Sequence, residues 1–159
     1  MKNQKKTEAA IDASYKSLYD VHEKTIRELL KVGRFQSTWS LAALVRVGDA
    51  SFFAADKLLS AGLPKEIEQY DAKYPDLGLA AQFTETVENR ARDEFIDPQD
   101  TKTYPFGAKQ YWLLTLESAK KNAIANEWSK LASQRLNTYI ASDLYPVMRD
   151  DLVDPEVNP

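Results

Sequence analysis

Residues 37–61 read STWSLAALVRVGDASFFAADKLLSA, and fifteen of these twenty-five are apolar. Leu41, Val45, Gly48, Phe52, Ala55 and Leu59 recur at alternating steps of four and three, which places them on one face of a helix. Trp39, Leu44, Val47, Phe53 and Leu58 widen that face, while charge is confined to Arg46, Asp49, Asp56 and Lys57. The pattern is that of an inner helix. A glycine within a helix costs about 1 kcal/mol relative to alanine, so Gly48 on the seam implies compensation by the close approach of a neighbouring helix. The alternative is two shorter helices meeting at Gly48-Asp49, with Asp49 as the N-cap. Gly62, Leu63 and Pro64 stop the element, proline being suited to the first turn of the next one. A membrane span over residues 35–55 is excluded by Arg46 and Asp49 at mid-span, each costing about 2.5–3.5 kcal/mol there.

Upstream, Ile11, Tyr15, Leu18, His22, Ile26, Leu29 and Leu30 mark one face of a helix from Thr7 to Val32. Asp12, Lys16, Asp20, Lys24 and Glu28 line the opposite face with alternating sign. Such pairs add only about 0.2–0.5 kcal/mol each, so they mark a solvated face and do not hold the fold. Gly33 suits a left-handed cap at its end.

Downstream, Pro64 to Tyr74 reads as a short helix closed by Pro75. A further helix runs from about Asp76 or Leu77 to Phe95, carried by Leu79, Phe83, Val87, Ala91 and Phe95. Residues 96–107 hold Pro98, Pro105 and Gly107 and form the one long loop. From Ala108 to about Leu144 neither proline nor glycine occurs, and the spacing predicts one helix about 50 Å long. No segment alternates with period two over a strand's length. The expected fold is therefore all-α: a bundle of about four to five helices with one long C-terminal helix. Around the helical domain at 7–145 lie a basic arm at 1–6 and an acidic, extended tail at 146–159.

The chain has 159 residues, a formal net charge of −3, one histidine and no cysteine. That is one ordinary domain with no disulfide, no thiolate nucleophile and no cysteine-based zinc site. The five glycines are too dispersed for a phosphate-binding loop. No cofactor or metal site is expected. The mild acidity argues against nucleic-acid binding, except through Lys2, Lys5 and Lys6 of the arm.

Three features carry the candidate sites. His22, on the apolar face of its helix, fits a boundary histidine bonded to a partner helix better than a general base. Arg46 and Asp49 share a face, either as a polar pair lining a pocket or as a solvent stripe continued by Asp56. Tyr104, Phe106, Tyr111 and Trp112 cluster where the long loop enters the last helix, as an aromatic plug or a protein contact.

The functional expectation is a non-enzymatic helical protein that self-associates through Leu41, Val45, Gly48, Phe52, Ala55 and Leu59. This would be a coat, scaffold or adaptor subunit, in the cytoplasm or within an assembled particle such as a virion. The alternative is an amphipathic helical binder of an apolar ligand or a lipid or granule surface. A third reading is a hydrolase built on paired carboxylates such as Glu85 and Glu88.

Overall fold

The computed structural model describes residues 2–32 and 37–140. Gly33 as a helix cap, any helix beyond Ile140 and the acidic tail lie outside the described residues. Among the described residues the protein is all-helical, with helices α1 (Lys2–Val32), α2 (Ser37–Ser60), α3 (Lys65–Lys73), α4 (Leu79–Arg90), α5 (Ala108–Lys121) and α6 (Glu127–Ile140). A 3-10 turn at Pro75–Leu77 joins α3 to α4, and a π-helical turn at Ala91–Ile96 extends α4.

Helix α1 starts at Lys2, so Lys2, Lys5 and Lys6 of the expected basic arm belong to it. Nothing before Val32 stops it, since that stretch lacks glycine and proline. Its apolar face turns inward, with His22 and Ile26 buried and Tyr15, Leu18, Leu29 and Leu30 half-buried. Asp12, Lys16, Asp20, Lys24 and Glu28 are all exposed.

Helix α2 is continuous through Gly48 and lies at the centre, against α1, α5, α6 and the π turn. Leu41, Val45, Val47, Ala54 and Ala55 are buried on it. The compensation for Gly48 is an indole: a Cβ at this position would lie 2.6 Å from Cδ1 of Trp112, a side chain only 1% exposed. The core around Phe95, Trp112, Leu116, Ala132 and Leu136 closes on α2 from α5, α6 and the π turn. A smaller cluster joins Ile26, Val47 and Phe106. Full burial of a valine, leucine, isoleucine or phenylalanine side chain contributes about 1.5–3 kcal/mol.

The single long helix expected from Ala108 is two. Helix α5 ends in a Schellman turn, with the Ile124 N–H donating to the Ala119 carbonyl at 2.9 Å and the Ala123 N–H to that of Lys120 at 3.2 Å. Ala123 has φ 51°, a left-handed conformation that residues other than glycine, asparagine and aspartate avoid. Helix α6 then opens with a reciprocal cap. The Asn126 Oδ1 accepts from the N–H groups of Trp128 and Ser129, and Ser129 Oγ accepts from the Asn126 N–H at 3.1 Å. The reversal lets α6 fold back on α5, which buries Ala132 and Leu136.

The loop at 97–107 is pinned to the body. Lys109 Nζ reaches Asp97 Oδ2 at 3.1 Å, Tyr19 Oη donates to the Thr103 carbonyl at 3.3 Å, and Gly107 sits against the Pro98 ring, where any side chain would collide.

Candidate functional site

Two polar centres occupy different faces of α2. At about 100° per residue, Ser51 and Asp49 diverge by about 200°, so one polar group faces the core and the other an outer groove.

On the inner side, His22 Nε2 lies 3.0 Å from Ser51 Oγ, and both residues are buried. This resembles a nucleophile beside a base, but both groups are sealed from solvent. Ser51 has one hydroxyl proton and two carbonyl acceptors, Phe106 at 2.5 Å and Val47 at 3.1 Å. One proton lies between Nε2 and Oγ in either tautomer, and His22 Nδ1 is buried with no hydrogen-bond partner, so no described carboxylate or carbonyl orients the ring as a general base requires. Burial pushes the imidazole pKa down to about 4, with Glu23 acting weakly the other way. The ring packs edge-on against Phe95 at 5.0 Å. His22 and Ser51 thus tie α1, α2 and the long loop together, and no substrate reaches Ser51, which is 0% exposed.

On the outer side, Asp49 is held by two arginines: Arg46 Nη1 at 3.3 Å and Arg135 Nε at 3.2 Å. The Arg46 guanidinium also lies over the Trp128 ring, 5.4 Å from its centroid. Arg46, Asp49 and Arg135 line an open depression of about 620 Å³ with Asp56 and an apolar floor of Leu29, Ala50, Phe52 and Phe53. Phe53 and Trp39, fourteen residues apart on α2, are each 58% exposed. Four turns separate them, so both rise on the outer stripe of the central helix.

Of the residues singled out in the sequence, Arg46 and Asp49 are brought together, and His22 stands apart from them. The seam expected to meet a second copy does not face outward. Leu41, Val45, Gly48 and Ala55 are buried inside this chain, and Phe52 and Leu59 are half-buried against the same core. Intramolecular cover from Trp112, Leu116 and Leu136 consumes that seam, so the association surface expected there is corrected. The aromatic cluster is likewise turned inward: Phe106 and Trp112 are buried, which removes them as protein contacts. Glu85 and Glu88 are exposed on α4.

Sequence reasoning missed Ser51 and Arg135. A lone hydroxyl between Ala50 and Phe52 in an apolar helix was a usable signal for the first. The second pairs with Asp49 across 86 residues, and no local pattern marks it. Glu94, in the π turn, was also missed. Burial pushes its carboxyl pKa up against a hydrogen bond from Tyr104, and Oε2 has no partner.

No candidate membrane-spanning helix and no metal-binding group of carboxylates and histidine occurs among the described residues. Comparison with protein-family models, with curated proteins and with solved structures finds no match.

Proposed function

We propose that the protein is a non-enzymatic, self-associating helical subunit of the coat, scaffold or adaptor kind, and that it acts through the outer stripe of α2. One observation carries this reading. The most deeply packed helix of the molecule nevertheless exposes two large aromatic side chains, Trp39 and Phe53, on the stripe its neighbours leave open. Single exposed apolar residues are ordinary, but aromatics aligned with a charged, apolar-floored groove mark contact surfaces. The polar centre facing the core supports a structural role, since Ser51 is 0% exposed and its Oγ lies within hydrogen-bond distance of the Phe106 carbonyl.

Sedimentation velocity over a wide concentration range tests the reading. A discrete oligomer is the expected result, and a monomer at every concentration overturns it. The alternative of a carrier for an apolar guest draws on the open depression alone. It predicts a monomer that retains bound lipid through purification.

A further inference from the structure

The outer stripe of α2 consists of Trp39, Ala42, Arg46, Asp49, Phe53 and Asp56, spaced three and four residues apart like the seam of a coiled coil. Trp39, Arg46, Phe53 and Asp56 are exposed, the Asp49 side chain is about one-fifth exposed, and Ala42 is buried at 7%. We infer that this stripe pairs with itself: two copies associate about a twofold axis, their α2 helices antiparallel and centred between Val47 and Gly48. The inference rests on the self-association proposed above and names its surface and register.

Charge and size complementarity select the second copy as the occupant. With the centre between residues 47 and 48, each seam position meets one whose number is as far beyond the centre as its own is before it. Arg46 then faces Asp49 of the second copy, so unlike charges meet on both sides of the axis. Phe53 faces Ala42 of the second copy, a large ring opposite a small buried residue that presents no bulk to it, as layers alternating large and small require. Trp39 faces Asp56 of the second copy, and its indole N–H meets a carboxylate that forms no ion pair among the described residues of its own chain. All three layers are complementary in this one register. The twofold repeats each of them, which is the self-complementarity an isologous interface needs. The surrounding depression carries two arginines and two aspartates, so two copies brought face to face meet no net repulsion.

The chain lacks cysteine, which makes a linkage test direct. The variant Trp39→Cys/Asp56→Cys carries thiols seventeen residues apart on one helix, about 25 Å, too far to bridge within a chain because a disulfide needs Cα atoms within about 7 Å. Under mild oxidation it should form a covalent dimer, whereas Trp39→Cys and Asp56→Cys alone should not. Phe53→Asp, at a site too exposed to disturb folding, should convert the parent oligomer to monomer in sedimentation with unchanged helicity and melting. Leu114→Asp, on exposed α5 surface, should leave the oligomer intact. A parent that is monomeric throughout overturns both the pairing and the proposed function. An oligomer that survives Phe53→Asp leaves self-association standing and overturns this surface. Loss of the oligomer in Phe53→Asp without a 39–56 cross-link overturns the antiparallel register.

Discussion

The molecule contains two helical hairpins built on the same plan and used in opposite ways. Helices α3 and α4 reverse through a left-handed residue, Gly78 at φ 58°, and α5 and α6 through another, Ala123 at φ 51°. Both hairpins carry apolar residues at helical spacing. Yet α5 buries Trp112, Leu116 and Ala119 and α6 buries Ala132 and Leu136, whereas no residue of α3, the 3-10 turn or α4 is buried. Tyr70, Tyr74 and Leu77 are about half exposed, and the two tyrosine rings meet each other, tilted by 45° with centroids 4.9 Å apart. Periodicity therefore predicts that a segment is helical and which face is apolar. It does not predict whether anything covers that face. The difference comes from the neighbours: α5 lies along α2 and α6 lies on both, while α4 touches α2 only lightly.

The sharpest test of that contrast pairs one residue from each side. Leu136→Ala, in the core on α6, should cost about 2–5 kcal/mol, and Leu77→Ala, at the tip of the first hairpin, less than about 0.5 kcal/mol. Denaturant titration of both variants reads the difference, and comparable losses would erase the distinction between the hairpins.

Acidification probes the core from within. His22 is held near pKa 4 in the folded chain against 6.5 when unfolded, so between these values the unfolded state binds the proton that the folded state refuses. Stability is complete above pH 6.5 and is lost as the pH falls toward 4, by about 3 kcal/mol at most. Glu94 works in the opposite sense, its raised pKa costing stability as the pH rises. Subtracting the melting profile of His22→Gln from that of the parent isolates the histidine. A flat difference between pH 4 and 6.5 would show that the ring is not buried neutral.

Gly48→Ala sets helix propensity against packing. On an open face it would gain about 1 kcal/mol, but the new methyl meets the buried Trp112 indole, and overpacking of that kind costs about 1–3 kcal/mol. A net loss is expected, larger for Gly48→Leu; a higher melting temperature in either variant would contradict the close contact.

The smallest effects are a matched pair at the two reversals. Ala123→Gly should raise stability by about 1 kcal/mol by relieving a left-handed alanine. Gly78→Ala should lower it by a similar amount, and since a Cβ at Gly78 meets nothing within 4 Å, that cost is conformational alone. Thermal melts of the two should move in opposite directions.

Much of the helical framework could be read from residue spacing, because α1 and α2 each carry an unbroken face and end at strong punctuation. The α5–α6 reversal could not, since its left-handed residue is an alanine and the flanking Asn122 and Asn126 are individually weak signals. The candidate site was legible where its members are near in sequence, as with Arg46 and Asp49. It was illegible where they meet across the chain: Ser51 with His22, and Arg135 with Asp49. The covering of the Leu41–Leu59 seam belongs to the same class, because the number of apolar residues on a helix says nothing about whether its own chain or another supplies the cover.

The indole packed on Gly48 also makes the protein its own optical reporter. Of the three tryptophans, Trp112 is 1% exposed, Trp128 is half-buried beneath the Arg46 guanidinium, and Trp39 is 58% exposed. A water-soluble quencher would extinguish the emission of Trp39 first and leave that of Trp112 nearly untouched. The blue-shifted, protected component follows the closing of α5 onto α2, and the accessible one follows whatever comes to rest on the outer stripe. Folding and association can thus be watched separately, in one cuvette, without a label.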